Sequence, residues 1–253
     1  MELKPLAILV PILLVYVGLY FVTIVINVGS LFYPIYIVSW LSLAFFVLAL
    51  CRLQGVDIFK WRFNRDAFFT AIYIGIVQVF AYFFLGLLSG FAKSPNLFTP
   101  SSITISALYF VSIILGTEFS RAFFLKSFSK RNVFFGFVMS TLVFTFINVS
   151  LIKFITLTST NAVQTLGTYF IPALGMSVLA SGLVLLGGPI ASISYLLIVQ
   201  GFNWLSPILP NITWVPLALV ETLIPILGVV VLFSVVSPYR LHFVGLMMRK
   251  DIK

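Results

Sequence analysis

Histidine is almost absent from this chain: His242, near the C-terminal end, is the single one in 253 residues. Zinc sites of the H-E-x-x-H kind need two imidazoles on one helix face, so they cannot be built. A Ser–His or Cys–His nucleophile inside the apolar segments is excluded for the same reason. Chemistry here must use carboxylates, amides and hydroxyls, with no metal and no cofactor expected. Cysteine is equally scarce. Cys51 stands alone at the end of an apolar segment, where it can close no intrachain disulfide and reads as apolar filler. Charge is thin as well, at 8% of residues, and only six residues are acidic.

What the chain has is apolar surface. Hydrophobic residues make up 61% of it, more than a soluble domain can bury, so the excess must face lipid. The net charge of +9 would suggest nucleic acid on a soluble protein. Here the basic residues lie in short runs between apolar segments, which points to a lipid bilayer and not to nucleic acid. The first apolar run, 6–28, exceeds a signal-peptide core and lacks an A-x-A cleavage site, so it is expected to be a membrane helix.

A bilayer core takes roughly 20 apolar residues as a helix. On that measure the spans fall near 6–28, 31–53, 67–91, 103–124, 133–152, 169–186, 189–205 and 214–236. The runs are continuous and not alternating, which requires helices over strands. The expected fold is all-α: a polytopic transmembrane bundle of about eight spans, forming a single domain over 1–253.

The loops order these spans. Arg52, Lys60, Arg62 and Arg65 precede the third span, and Arg121, Lys126, Lys130 and Arg131 join the fourth to the fifth. Arg240, Arg249, Lys250 and Lys253 form the tail, and Lys4 opens the chain. An even number of spans puts these 13 basic residues on one side, with Lys93 and Lys153 on the other. The positive-inside rule then makes both termini cytoplasmic in a multi-pass protein of the cell membrane. Asn211-Ile212-Thr213 matches a glycosylation sequon in a loop placed outside. Gly86 and Gly90 form a G-x-x-x-G expected to serve close packing within the bundle.

Two of the acids, Glu118 and Glu221, sit within apolar spans, where a carboxylate costs roughly 2.5–3.5 kcal/mol and marks a candidate functional position. Arg121 stands three residues after Glu118, close enough on one helix to pair with it and reduce the burial cost. Counting helical residues upward from the cytoplasmic turns places Glu118, Asn148, Asn203 and Glu221 at one level, about 21–24 Å up. These four are expected to line one internal cavity. Pro216 and Pro225 flank Glu221 and suggest a kinked helix there.

Three stretches carry a family resemblance. Gly116-Thr117-Glu118-Phe119-Ser120-Arg121 resembles the E-E-x-x-x-R motif of the CAAX protease and bacteriocin-processing (CPBP, or Abi) family. Phe144 to Asn148 resembles its F-x-x-x-H motif, and Val199 to Asn203 its H-x-x-x-N motif. The motifs span 116–203 and fall on the fourth, fifth and seventh helices, as in the type II CAAX prenyl endopeptidases. The resemblance implies an eight-helix CAAX-protease-like fold and an intramembrane hydrolase of membrane-tethered peptides. Glu118 would be the catalytic base, Asn148 and Asn203 would hold water or the oxyanion, and Arg121 and Glu221 would support them. The chain departs from the pattern at Thr117, which replaces the first Glu, and in a Glu118–Arg121 spacing one residue short. Asn148 and Val199 replace the two histidines. Those departures raise an alternative, a pseudo-enzyme that acts as scaffold or chaperone for another membrane protein, as the family's non-catalytic relative in gamma-secretase does. A small-molecule or ion transporter is a second alternative.

Overall fold

A computed structural model describes residues 6–22, 31–55, 57–96, 98–128, 132–149, 153 and 162–236. Their helices are α1 (Leu6–Phe21), α2 (Phe32–Leu53), α3 (Arg65–Ser89), α4 (Pro100–Phe128) and α5 (Val133–Asn148). After them come α6 (Ala162–Gly187), which opens through a π-helical turn at Leu166–Phe170, then α7 (Pro189–Leu205) and α8 (Trp214–Val235). Helices α2, α3, α4, α6 and α8 are long and apolar enough to cross a membrane, while α1, α5 and α7 are shorter apolar helices. The molecule is a helical, multi-pass membrane protein. Lys4, Lys130, Arg131 and the basic tail with His242 lie outside the described residues.

The helix ends follow local chemistry. Asn64 caps α3, its side-chain oxygen accepting from the amides of Asp66 and Ala67 at 2.8 and 3.3 Å. Asn132 caps α5 in the same way through Phe135 N–H at 3.0 Å. Gly90, at φ +87°, turns the chain out of α3, and Gly86 leaves room one turn earlier for the ring of Phe91. The G-x-x-x-G pair thus shapes a helix end.

Two contacts define the two ends of the bundle. At one, β1 (Phe91–Lys93) pairs antiparallel with β2 (Ile208–Pro210), joining the exit of α3 to the exit of α7. Asn96 Nδ2 donates to the Trp204 carbonyl at 3.2 Å across the same junction. At the other end, the chain between α2 and α3 wraps beneath the α6–α7 turn. Arg62 Nη1 donates to the Leu185 carbonyl at 3.3 Å. Gly188, at φ +80°, lies so close to the Trp61 carbonyl that a Cβ would stand 2.6 Å from it. The turn is consequently sunk into the protein, and residues 179–189 are buried without interruption.

Two apolar clusters flank this hairpin. One joins α1, α2, α4 and α5 around Val47, Phe123 and Phe144; Cys51 is buried in it, as an apolar filler would be. The other joins α3, α6, α7 and α8 around Leu179, Leu183 and Tyr195. Val199, in the position of a motif histidine, belongs to this second apolar cluster.

Candidate functional site

The bundle holds two polar networks, and each contains one of the intramembrane acids. The first is centred on Arg121, which is 1% exposed. Its Nε donates to Glu118 Oε1 at 3.2 Å, closing the one-turn pair expected from their spacing. Its Nη1 reaches α6, where the Ser177 carbonyl and the Ser177 and Ser181 hydroxyls lie at 3.0, 3.0 and 2.9 Å. The guanidinium also sits 4.5 Å from the centre of the Phe144 ring on α5. Ser192, on α7, donates to Glu118 Oε2 at 2.6 Å, and Ser177 Oγ donates to the Thr141 carbonyl on α5 at 3.0 Å. Both carboxylate oxygens and the guanidinium are therefore engaged, and one ion pair ties four helices together. Arg121 is thus an internal residue and not a loop charge, which leaves the sequence asymmetry at twelve basic residues against two.

The second network is a chain of neutral groups ending on Glu221. Tyr195 O–H on α7 donates to Gln78 Oε1 on α3 at 2.7 Å. Gln78 Nε2 donates to Tyr82 Oη at 3.0 Å, and Tyr82 O–H donates to Glu221 Oε1 on α8 at 3.1 Å. The Tyr82 ring stacks on Phe202 with centroids 6.0 Å apart. Glu221 Oε2 has no hydrogen-bond partner among the described residues. Pro225 lies inside α8 four residues on, and its missing N–H deprives the Glu221 carbonyl of its helical bond. Gly175 lets α6 approach here, since a Cβ would stand 3.2 Å from the Thr222 carbonyl.

A cavity of about 420 Å³ separates the two networks. Glu118, Arg121, Asn148 and Glu221 line it, as do Lys153, Thr168, Gln200, Tyr109, Tyr169 and Trp204. Helix α4 contributes residues between Tyr109 and Arg121, α5 its last residue, α6 residues between Thr168 and Ala180, α7 residues between Leu196 and Trp204, and α8 Glu221. The cavity therefore occupies the half of the bundle nearest the β-ribbon, with the ion pair at its inner end.

Asn203 does not share this cavity. Ser192, in contact with Glu118, is the fourth residue of α7, and Asn203 follows eleven residues later, about 16 Å along the axis. Depth alone does not exclude it, because the i, i+4 row of Leu196, Gln200 and Trp204 on the same helix lines the cavity and Asn203 stands off that row; the count of depth was offset as well. The α6–α7 turn is sunk into the bundle, so residues counted upward from it reach farther than those counted from Phe128 at the end of α4. Glu118 is ten residues from that end, about 15 Å. Asn148 does line the cavity. It sits seven residues, about 10 Å, beyond Thr141, where the first network meets α5.

Sequence reasoning missed the partners. Ser177 and Ser181 are one turn apart on α6, and a buried arginine needs acceptors on a neighbouring helix. That pairing was available as a signal. The Gln78, Tyr82 and Tyr195 chain had none, because each is an ordinary amphipathic side chain in an apolar run.

No family model matches the chain, no curated protein matches it, and no solved structure matches it. Fold and site together define a class and no more: a multi-pass helical membrane protein with a buried ion-pair network beneath a mixed polar and aromatic cavity.

Proposed function

We propose that this is a CPBP-like membrane protein of eight spans that binds a membrane-tethered peptide in its cavity without hydrolysing it. In this reading α1, α5 and α7 complete the spans and both termini face the cytoplasm of the cell membrane. The observation that carries it is the state of Glu118. Arg121 and Ser192 each donate to one of its oxygens, and Asn203, which would complete the motif triad, is not among the residues that line the cavity. A general base needs its carboxylate within hydrogen-bond reach of the attacking water and a partner for the oxyanion. Glu118 is instead a structural acid that neutralises Arg121, its neighbour on α4, while the guanidinium reaches across to α6. The endopeptidase reading keeps one point in its favour, that Glu118 and Asn148 line the same cavity. Purified wild type and Glu118→Gln, incubated with acylated peptides in nanodiscs, separate the two. Binding without cleavage by both supports the proposal. Cleavage by wild type that is lost in Glu118→Gln, with binding retained, overturns it.

A further inference from the structure

Several polar groups in the cavity keep at least one atom without a partner among the described residues, and they are not of one kind. Glu221 directs one oxygen to Tyr82 and leaves Oε2 without a donor. Lys153 places its ammonium 4.4 Å from the centre of the Tyr169 ring, with no acid beside it among the described residues. The side-chain amides of Asn148 and Gln200 also line the cavity, with no hydrogen-bond partner among the described residues. The other two charges in the wall, Glu118 and Arg121, neutralise each other. What remains is one unpaired carboxylate and one unpaired ammonium in a cavity inside an apolar bundle. Glu221 and Lys153 are each partly exposed, so a ligand that covers them must itself supply the counter-charges. A ligand of one sign would satisfy one group and oppose the other.

We infer that the cavity recognises a pair of opposite charges on its ligand: a cationic side chain docked at Glu221 and a carboxylate docked at Lys153, with Asn148 and Gln200 hydrogen-bonding the peptide backbone between them. This deepens the binding function proposed above and rests on it. The chain of Tyr195, Gln78 and Tyr82 holds one oxygen of Glu221 through the Tyr82 hydroxyl and leaves the other for the ligand. Tyr109 and Trp204, packed edge to face at 5.1 Å, supply an apolar wall for the rest of the ligand.

The test uses the full chain in nanodiscs and four palmitoylated, C-terminally amidated peptide probes. One carries a Lys and an Asp, one has Gln for Lys, one has Asn for Asp, and one has both replacements. The doubly charged probe is expected to bind at least tenfold more tightly than the neutral one. Glu221→Gln, which keeps the Tyr82 bond, is expected to weaken the probes that carry Lys about tenfold and leave the Gln probes unchanged. Lys153→Gln is expected to act only on the probes that carry Asp. Such selective coupling marks direct pairing and would not follow from general damage to the fold. Equal binding of all four probes, or equal weakening of all four by either variant, overturns the inference and leaves peptide binding standing. Capture of no probe overturns both. Displacement of the charged probe by phosphatidylethanolamine but not by phosphatidylglycerol overturns the peptide occupant and assigns the site to a zwitterionic headgroup.

Discussion

At the residue scale the molecule separates two carboxylates that the sequence presents alike. Glu118 and Glu221 are both lone acids in apolar runs, and only Arg121 beside the first and the flanking Pro216 and Pro225 of the second distinguish them. The bundle engages both oxygens of the first and one oxygen of the second. Removing one partner of a saturated buried pair strands the other. Arg121→Ala should therefore destabilise the protein by about 3–5 kcal/mol, whereas Glu118→Gln, which leaves the arginine its serine and carbonyl acceptors, should cost less. Thermal unfolding in detergent would rank the two, and a milder loss in Arg121→Ala would dissolve the network account. Ser181→Ala, which removes one acceptor of a charged donor, should cost about 1–3 kcal/mol by the same measurement. The Glu118–Arg121 pair was legible in the sequence because both partners lie on one helix. Their distant partners were not, because a serine in an apolar run carries no sign of which way it faces.

At the element scale, close helix approach is set by glycine at particular levels. Gly116 on α4 faces the Trp40 carbonyl on α2, and a Cβ there would meet both that oxygen and the indole at 2.8 Å. The indole can turn aside but the backbone carbonyl cannot. Gly116→Ala should force α2 from α4 and lower stability by about 1–3 kcal/mol. An unchanged unfolding temperature would show that the two helices are not held in contact. Helix positions were largely readable from apolar runs, since each of the eight runs coincides with a helix, although only five of these helices are long enough to cross a membrane. Depth was not. The α6–α7 turn, with its Gly188-Pro189 signature, reads as an ordinary surface turn. It is buried because the segment before α3 folds beneath it, and Arg62 and Trp61 give no local hint of doing so.

At the scale of the whole molecule, charge and topology make one joint prediction. With Arg121 removed from the loops, the eight-span topology proposed above would still put the remaining basic residues of the loops and tail overwhelmingly on one side. Reporter fusions at Lys253 and beside Asn211 should read opposite sides, and the same side for both would break the eight-span topology. The central claim, that a membrane-tethered peptide is held in the cavity and left intact, has a more direct test. A palmitoylated peptide bearing Lys, Asp and a photo-crosslinker is incubated with the purified protein in nanodiscs, irradiated, and the products are weighed by mass spectrometry. The account predicts an adduct of the mass of the intact peptide, attached to residues of the cavity wall such as Tyr109, Gln200 or Trp204, and no free fragments. Peptide fragments formed by the wild type and lost in Glu118→Gln would contradict it.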